Sequence, residues 1–326
     1  MSNEPWFWRD DSLSAKAVCA ALAPLAYSYS LASNARRRFT TPWRATTPVI
    51  CVGNASVGGS GKTPFALMLC ELLKRKGQTP HFLSRGYGGA EKGPVRVDPG
   101  KHSASDVGDE PLLLARHAPT WVSRSKRTGA EAAITAGADV IIMDDGFQNP
   151  TIAKDFSILL VDEKQRRNNG RIFPAGPMRE PLATAQARAD IVIDIVSSSG
   201  AAATDSDATH TAWLEPDCAP PIGRILAFCG IANPDRFFSM LQRLGFDVAD
   251  AIAFPDHYQY TPQNIEILKA RAAKMNTRLM TTEKDLVRIV VDQRETIETL
   301  AIRMCVSDPE TLTASMMAAI EKRRER

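Results

Sequence analysis

Gly53-Asn54-Ala55-Ser56-Val57-Gly58-Gly59-Ser60-Gly61-Lys62-Thr63 is the stretch on which the reading of this 326-residue chain turns. Before it, Val49–Val52 is a short, partly β-branched apolar run that reads as a strand. After it, Phe65 to Leu73 reads as a helix, and Gly77 stands where a helix C-terminus favours a left-handed residue. Strand, glycine-rich turn and helix in this order follow the logic of a Walker A phosphate loop. Glycines let backbone N–H groups converge on phosphate oxygens, and the helix N-terminus adds its positive dipole end. Residues Ser56, Val57, Gly58, Gly59, Ser60, Gly61, Lys62 and Thr63 are therefore the expected nucleotide cradle, with Lys62 reaching the β/γ-phosphates and the Thr63 hydroxyl on Mg²⁺. One departure is Ser56, where the standard spacing wants glycine.

A neighbouring strand should end in an acid that contacts the metal. Val140-Ile141-Ile142-Met143-Asp144-Asp145-Gly146 supplies it. An aspartate after a strand is also a common helix cap; the phosphate loop upstream favours the metal reading of Asp144. The [NT]-K-x-D pattern that reads guanine is missing, since Thr282-Glu283-Lys284-Asp285 has the residues in another order, so ATP is favoured over GTP.

Strand signals recur at His81–Ser84, Trp121–Ser123, Phe156–Val161 and Ile191–Val196, alternating with helices. That is an α/β pattern: a doubly wound, mostly parallel sheet over residues 41–196. Residues 197–210, rich in Ser, Ala, Thr and Asp, read as a linker. Strands resume at Ile225–Cys229, Ala251–Phe254, Arg278–Thr282 and Ala301–Val306, with helices near Pro234–Leu244, Pro262–Lys274 and Leu312–Lys322. Residues 211–326 thus form a second, smaller α/β domain in this reading.

Composition sets the outer bounds. Two domains suit a chain of this length, since single domains usually stop near ~150–250 residues. Hydrophobic residues at 44% and charged residues at 24% exclude disordered and fibrous classes. A net charge of +3, from 40 Lys+Arg against 37 Asp+Glu, is too small to argue for a nucleic-acid partner. The six cysteines form no C-x-x-C pair and the histidines are dispersed, which disfavours zinc and disulfides. The mean hydropathy of -0.19 and the lack of a long apolar run disfavour a polytopic membrane protein.

Residues 1–40 differ from the rest. Trp6, Phe7 and Trp8 precede a stretch rich in Ala and Leu that ends in Arg36, Arg37 and Arg38. The charges lie on the wrong side for a signal peptide, and Lys16 and Pro24 spoil a membrane span. Val18, Leu22, Leu25 and Tyr29 sit at helical spacing. Two readings stay open: an interfacial helix with rings at headgroup depth and arginines on anionic lipid, or a helix packed on its own domain.

Several loops after strands also carry charge: Ser84-Arg85-Gly86-Tyr87-Gly88, Gly108-Asp109-Glu110-Pro111, Arg124-Ser125-Lys126-Arg127, Pro174-Ala175-Gly176-Pro177 with Arg179-Glu180, and Asp256-His257. Together with Asp144-Asp145-Gly146-Phe147-Gln148, Phe228-Cys229-Gly230-Ile231-Ala232-Asn233-Pro234 and Thr281-Thr282-Glu283-Lys284-Asp285, they make the chain resemble the tetraacyldisaccharide 4'-kinase family over essentially its whole length. The resemblance implies transfer of the ATP γ-phosphoryl group to the 4'-hydroxyl of a tetraacylated glucosamine disaccharide, giving lipid IVA. It implies a peripheral enzyme on the cytoplasmic side of the inner membrane, docked through the N-terminal helix, with an acylated disaccharide lipid as partner and no obligate protein partner. It also implies Asp109 as base, with His257 orienting it across a cleft between domains. Asp145 and Glu180 become second candidates for Mg²⁺ beside Thr63 and Asp144, and Arg127 and Arg179 candidates for gripping phosphate or substrate. The alternatives are another P-loop ATP-dependent enzyme acting on a soluble molecule, or a non-catalytic nucleotide-sensing module.

Overall fold

The computed structural model describes residues 5–58, 61–162, 168–196, 210–218, 222–231 and 233–325. At its centre is β1 (Val49–Asn54), buried at every position. A strand covered by helices on both faces has no solvent side, so its sequence runs apolar without alternation. Parallel neighbours flank it: β5 (Val140–Asp144), with Val49 opposite Ile141, and β6 (Phe156–Asp162), with Ile50 opposite Phe156. Outward from β5 lie β2 (Pro80–Ser84) and β4 (Thr120–Val122), and outward from β6 lies β7 (Ile191–Ile195), all parallel. The six strands expected in this half are all present. The edge is closed by β3 (Val95–Arg96), an antiparallel strand too short to leave a sequence pattern.

In the C-terminal half, β9 (Arg224–Cys229), β10 (Asp247–Ala253), β11 (Arg278–Thr282) and β12 (Ile297–Val306) pair in parallel in the order β10-β9-β11-β12. A strand the sequence reading lacked, β8 (His210–Cys218), joins the halves. It runs parallel to β7, with Ile193 opposite His210, and antiparallel to β12, with Trp213 opposite Cys305. Among the described residues the result is one twelve-stranded sheet. Residues 197–209 of the expected linker lie outside the described residues, and His210 already belongs to β8.

Packing also crosses between the halves. Leu312, Met316 and Ile320 of the last helix, Pro309–Arg324, join Phe65, Leu69 and Ile142 in one buried cluster. The opposite face of the N-terminal sheet is filled by Val49, Cys51, Leu83, Met143 and Phe147. The C-terminal strands have their own layers, one around Phe237 and Leu241 and the other around Phe228, Tyr260 and Ile265.

Helix α1 (Leu13–Phe39) starts at Ser12, whose side chain accepts from the Ala15 N–H. Its inner stripe is made of small residues, Ala15, Cys19 and Ala26, which let it lie close against residues 168–181. There the Cys19 thiol meets the Ala175 carbonyl at 3.2 Å and Trp8 Nε1 donates to the Pro174 carbonyl at 3.2 Å. The expected apolar face is corrected in part: Val18 and Leu22 are half-buried toward the protein, whereas Leu25 and Tyr29 are exposed. The outer surface instead carries Leu13 (86% exposed), Tyr27, Leu31 and Phe39 (82%), followed by Arg36–Arg38 in the last turn. Among the described residues no helix is long and apolar enough to cross a membrane.

Candidate active site

The turn after β1 leads into α2 (Lys62–Arg75), and Gly61 caps that helix at φ 72, a left-handed conformation that glycine adopts without strain. Gly59 and Ser60 lie outside the described residues. Ser56, the departure from the usual loop, is buried and forms an isolated bridge with Met178, and the Val57 N–H donates to the Pro177 carbonyl at 2.7 Å. The 177–178 segment therefore props the loop from outside. Lys62 folds over its own loop: Nζ donates to the Gly58 carbonyl at 2.9 Å and lies 3.9 Å from Asp145. The Thr63 hydroxyl donates to Asp144 Oδ2 at 3.1 Å.

Asp144, at the end of β5, is almost wholly buried, and its second oxygen, Oδ1, has no hydrogen-bond partner. Burial, with the charges of Glu110 and Asp145 behind it, pushes its proton affinity up to about 7, against the pull of Lys62 and Thr63. A buried carboxylate with an open lone pair beside a hydroxyl lacks a positive charge. Asp145 takes the left-handed region at φ 54 and receives a two-pronged contact from Arg179, at 2.9 and 3.2 Å. Burial would raise its proton affinity, but Lys62 and Arg179 together hold it below the ordinary carboxylate value.

Two further expected site residues have partners of their own. Glu180 is buried, but Arg37 of α1 at 2.7 Å and Arg188 at 2.5 Å both grip its carboxylate, and Gln148 donates to it at 3.1 Å. With its oxygens held this way it ties the N-terminal helix to the site. Arg127 points outward, pairing with Glu131 at 2.9 Å and lying 5.5 Å over the Trp43 ring. The inward cation is its neighbour Lys126, first residue of α4 (Lys126–Thr135), buried with Nζ unpartnered. Burial lowers its proton affinity to about 8, partly offset by Asp144 and Asp145. Adjacent helical residues point about 100° apart, and the sequence alone does not say which of two consecutive cations faces in.

Across the site, Gly108 at φ 89 caps α3 (Asp109–Leu114) and presents Asp109, only 4% exposed. Asp109 Oδ2 meets His257 Nδ1 at 3.1 Å, although 148 positions separate the two residues. Arg288 donates to the same oxygen through Nε at 3.0 Å and through Nη2, and Lys284 Nζ lies 3.7 Å away. Burial would raise the Asp109 proton affinity, but the His257 hydrogen bond, Lys284 and Arg288 hold it far below the usual carboxylate range. His257 sits at φ 59 in the turn after β10, its N–H on the Gly230 carbonyl and its side chain 38% exposed near the Tyr87 ring. The structure thus brings Asp109 and His257 together, and groups Lys62, Thr63, Asp144, Asp145 and Arg179. Glu110, next to Asp109, is near enough to act electrostatically on Asp144.

A buried strand, a glycine turn, a Lys-Thr pair opening a helix and a carboxylate at the end of the adjacent parallel strand define a P-loop nucleotide-binding protein of the α/β class. The sequence profile of the tetraacyldisaccharide-1-P 4'-kinases matches residues 18–321, and the chain belongs to that family. It is 45% identical to the tetraacyldisaccharide 4'-kinase of Parvibaculum lavamentivorans, over 99% of this chain and 100% of the relative. Against the enzyme of the same name from Rhodospirillum centenum it is 43% identical, over 94% of each chain. A crystal structure of LpxK from Aquifex aeolicus in complex with ATP superposes with a TM-score of 0.77 at 29% identity, covering 93% of this chain and 99% of that one.

Proposed function

We infer that this chain transfers the γ-phosphoryl group of ATP to the 4'-hydroxyl of a tetraacylated glucosamine disaccharide 1-phosphate, the step that yields lipid IVA in lipid A biosynthesis. Family membership and near-full-length relatives support the activity. The single structural observation that carries it is that the half bearing the phosphate loop also presents buried Asp109, which meets His257 from the other half of the chain.

In this reading residues 56–63 cradle the triphosphate, and Lys62 leaves the Gly58 carbonyl for the β/γ-phosphates. Lys126, buried without a partner, meets the transferred group. Thr63 and Asp144 would hold Mg²⁺; the open Oδ1 of Asp144 beside the Thr63 hydroxyl fits a hard, oxygen-seeking cation. When bound, that ion offsets negative charge on the β- and γ-phosphate oxygens. Asp145 is engaged by Arg179, which shapes the rim of the site.

A sugar hydroxyl is a weak nucleophile at neutral pH, so removal of its proton has to be assisted. In this reading the Asp109 carboxylate takes that proton, and His257, hydrogen-bonded to its Oδ2 through Nδ1, orients it. We further propose that residues 41–196 and 211–326 flank the cleft between them as two functional units. The chain would act as a peripheral protein on the cytoplasmic side of the inner membrane. Leu13, Tyr27, Leu31 and Phe39 of α1 would lie in the interface and Arg36 and Arg38 on anionic headgroups.

The direct test is a transfer assay with γ-labelled ATP and detergent-dispersed tetraacyldisaccharide 1-phosphate. Label should appear on the 4'-oxygen of the lipid; ATP binding with no label on the lipid would contradict this assignment.

A further inference from the structure

The Thr281-Thr282-Glu283-Lys284-Asp285 segment and Arg288 take no part in the chemistry above, yet they close around Asp109. The Arg288 side chain has no exposure and reaches from the C-terminal half to a carboxylate in the other half. Its far side is fixed as firmly: Nη1 donates to the Gly230 carbonyl at 2.6 Å and to Asp285 Oδ1 at 3.0 Å. Asp285 is itself held by the Thr282 hydroxyl at 2.6 Å, the Gly230 N–H at 2.9 Å and the Tyr260 hydroxyl at 3.0 Å. Lys284 bridges Asp109 and Glu110, at 3.7 and 3.3 Å.

This is far more than a helix cap requires. A cap is satisfied by one backbone N–H, and Asp109 Oδ1 already accepts from the Glu110 N–H at 3.0 Å. Every additional contact falls on Oδ2, the oxygen that also meets His257. A carboxylate this buried tends to keep its proton unless cations oppose burial. The groups facing it are His257, Arg288, Lys284 and Glu110, with Asp285 behind Arg288 and Asp256 3.8 Å from His257 Nε2. Arg288 Nη2 also lies 3.4 Å from His257 Nδ1, so one guanidinium touches both members of the couple.

We propose that Arg288 is a positioning residue for the Asp109–His257 couple, holding the carboxylate in place and ionised, with partly exposed Lys284 as its outer partner. The assignment deepens the kinase reading and rests on it. Arg288 touches neither nucleotide nor acceptor in this role; it acts through Asp109.

The experiment compares full-length wild type, Arg288→Gln, Arg288→Lys and Lys284→Gln in the lipid transfer assay, with kcat followed across about pH 5–9. Removing the guanidinium leaves burial of Asp109 less opposed, so its proton affinity rises and less of it is ionised at acid pH. Arg288→Gln should lower kcat at neutral pH by about tenfold or more because the carboxylate is no longer held in place, and its acid-side fall in kcat should begin at higher pH than in wild type, with little change in KM for ATP. Arg288→Lys should recover part of both effects, and Lys284→Gln should move the acid side the same way by less. Thermal unfolding of each variant separates lost fold from lost function. A folded Arg288→Gln whose kcat falls without a moved acid limb makes the arginine a purely structural tie and overturns the proposal. If Arg288→Gln does not fold, Arg288→Lys and Lys284→Gln decide, and unmoved acid limbs in both overturn it. Wild type that transfers nothing to the lipid would bring down the kinase reading itself, a distinguishable result.

Discussion

The phosphate-loop region and the Asp109 region differ in how many of their charged groups are already partnered. Around the loop, Asp144 Oδ1 and Lys126 Nζ are buried without partners, and Lys62 rests on a carbonyl of its own loop. Around Asp109 one carboxylate oxygen is met by His257, Arg288 and Lys284, and the arginine is held in turn by Asp285 and Gly230. In the proposed reaction the first region is completed by a ligand that carries its own charges. The second is completed by the protein alone, before any ligand arrives. A site for phosphoryl transfer benefits from both, because the triphosphate brings most of the charge while the weak hydroxyl nucleophile needs a fixed acceptor for its proton.

Substitutions should separate the two regions. The largest effect is expected at the preassembled end: Asp109→Asn should lower kcat by about 10²–10⁴-fold with ATP affinity retained, read by transfer assay and calorimetric titration. At the ligand-completed end, Lys62→Met should lower kcat by about 10²–10³-fold and weaken ATP binding as well. Lys126→Met sharpens the contrast further. It should lower kcat/KM for ATP by roughly tenfold or more while raising unfolding stability of the nucleotide-free chain by about 1–3 kcal/mol, because an unpartnered buried charge is removed. A Lys126→Met chain less stable than wild type would show that the ammonium has a partner and is not waiting for one. The smallest effect belongs to α1: changing Leu13, Leu31 and Phe39 together to Ser should weaken sedimentation with anionic vesicles by several-fold and spare ATP binding. Unchanged sedimentation would remove the interfacial role from this face.

Most of the sheet was legible because buried parallel strands are written as apolar runs bounded by turns, as in Val140–Asp144 and Phe156–Asp162. β8 was not, since Glu215, Pro216 and Asp217 break the apolar pattern while Ala212 and Leu214 pack inward. The phosphate loop was legible because glycines, lysine and threonine are needed at fixed spacing. Side-chain direction was not: Arg127 and Lys126 look equivalent in sequence, and only the helix decides that the lysine enters the site. Glu180 carried the right charge for a metal, but Arg37 and Arg188 arrive from distant and local segments to occupy it. Arg288 left no signal at all, because its contact with Asp109 spans 179 positions and depends on how the two halves pack.

In the proposed reaction Asp109 and His257 act as one unit on the γ-phosphoryl transfer organised by the phosphate loop. This is tested most directly by a double-mutant cycle on kcat with Asp109→Asn, His257→Gln and the double variant, ATP affinity being measured alongside. The prediction is that the double variant loses little more than Asp109→Asn alone and that all three bind ATP as wild type does. Losses that multiply, or an Asp109→Asn chain that turns over at the wild-type rate, would contradict it.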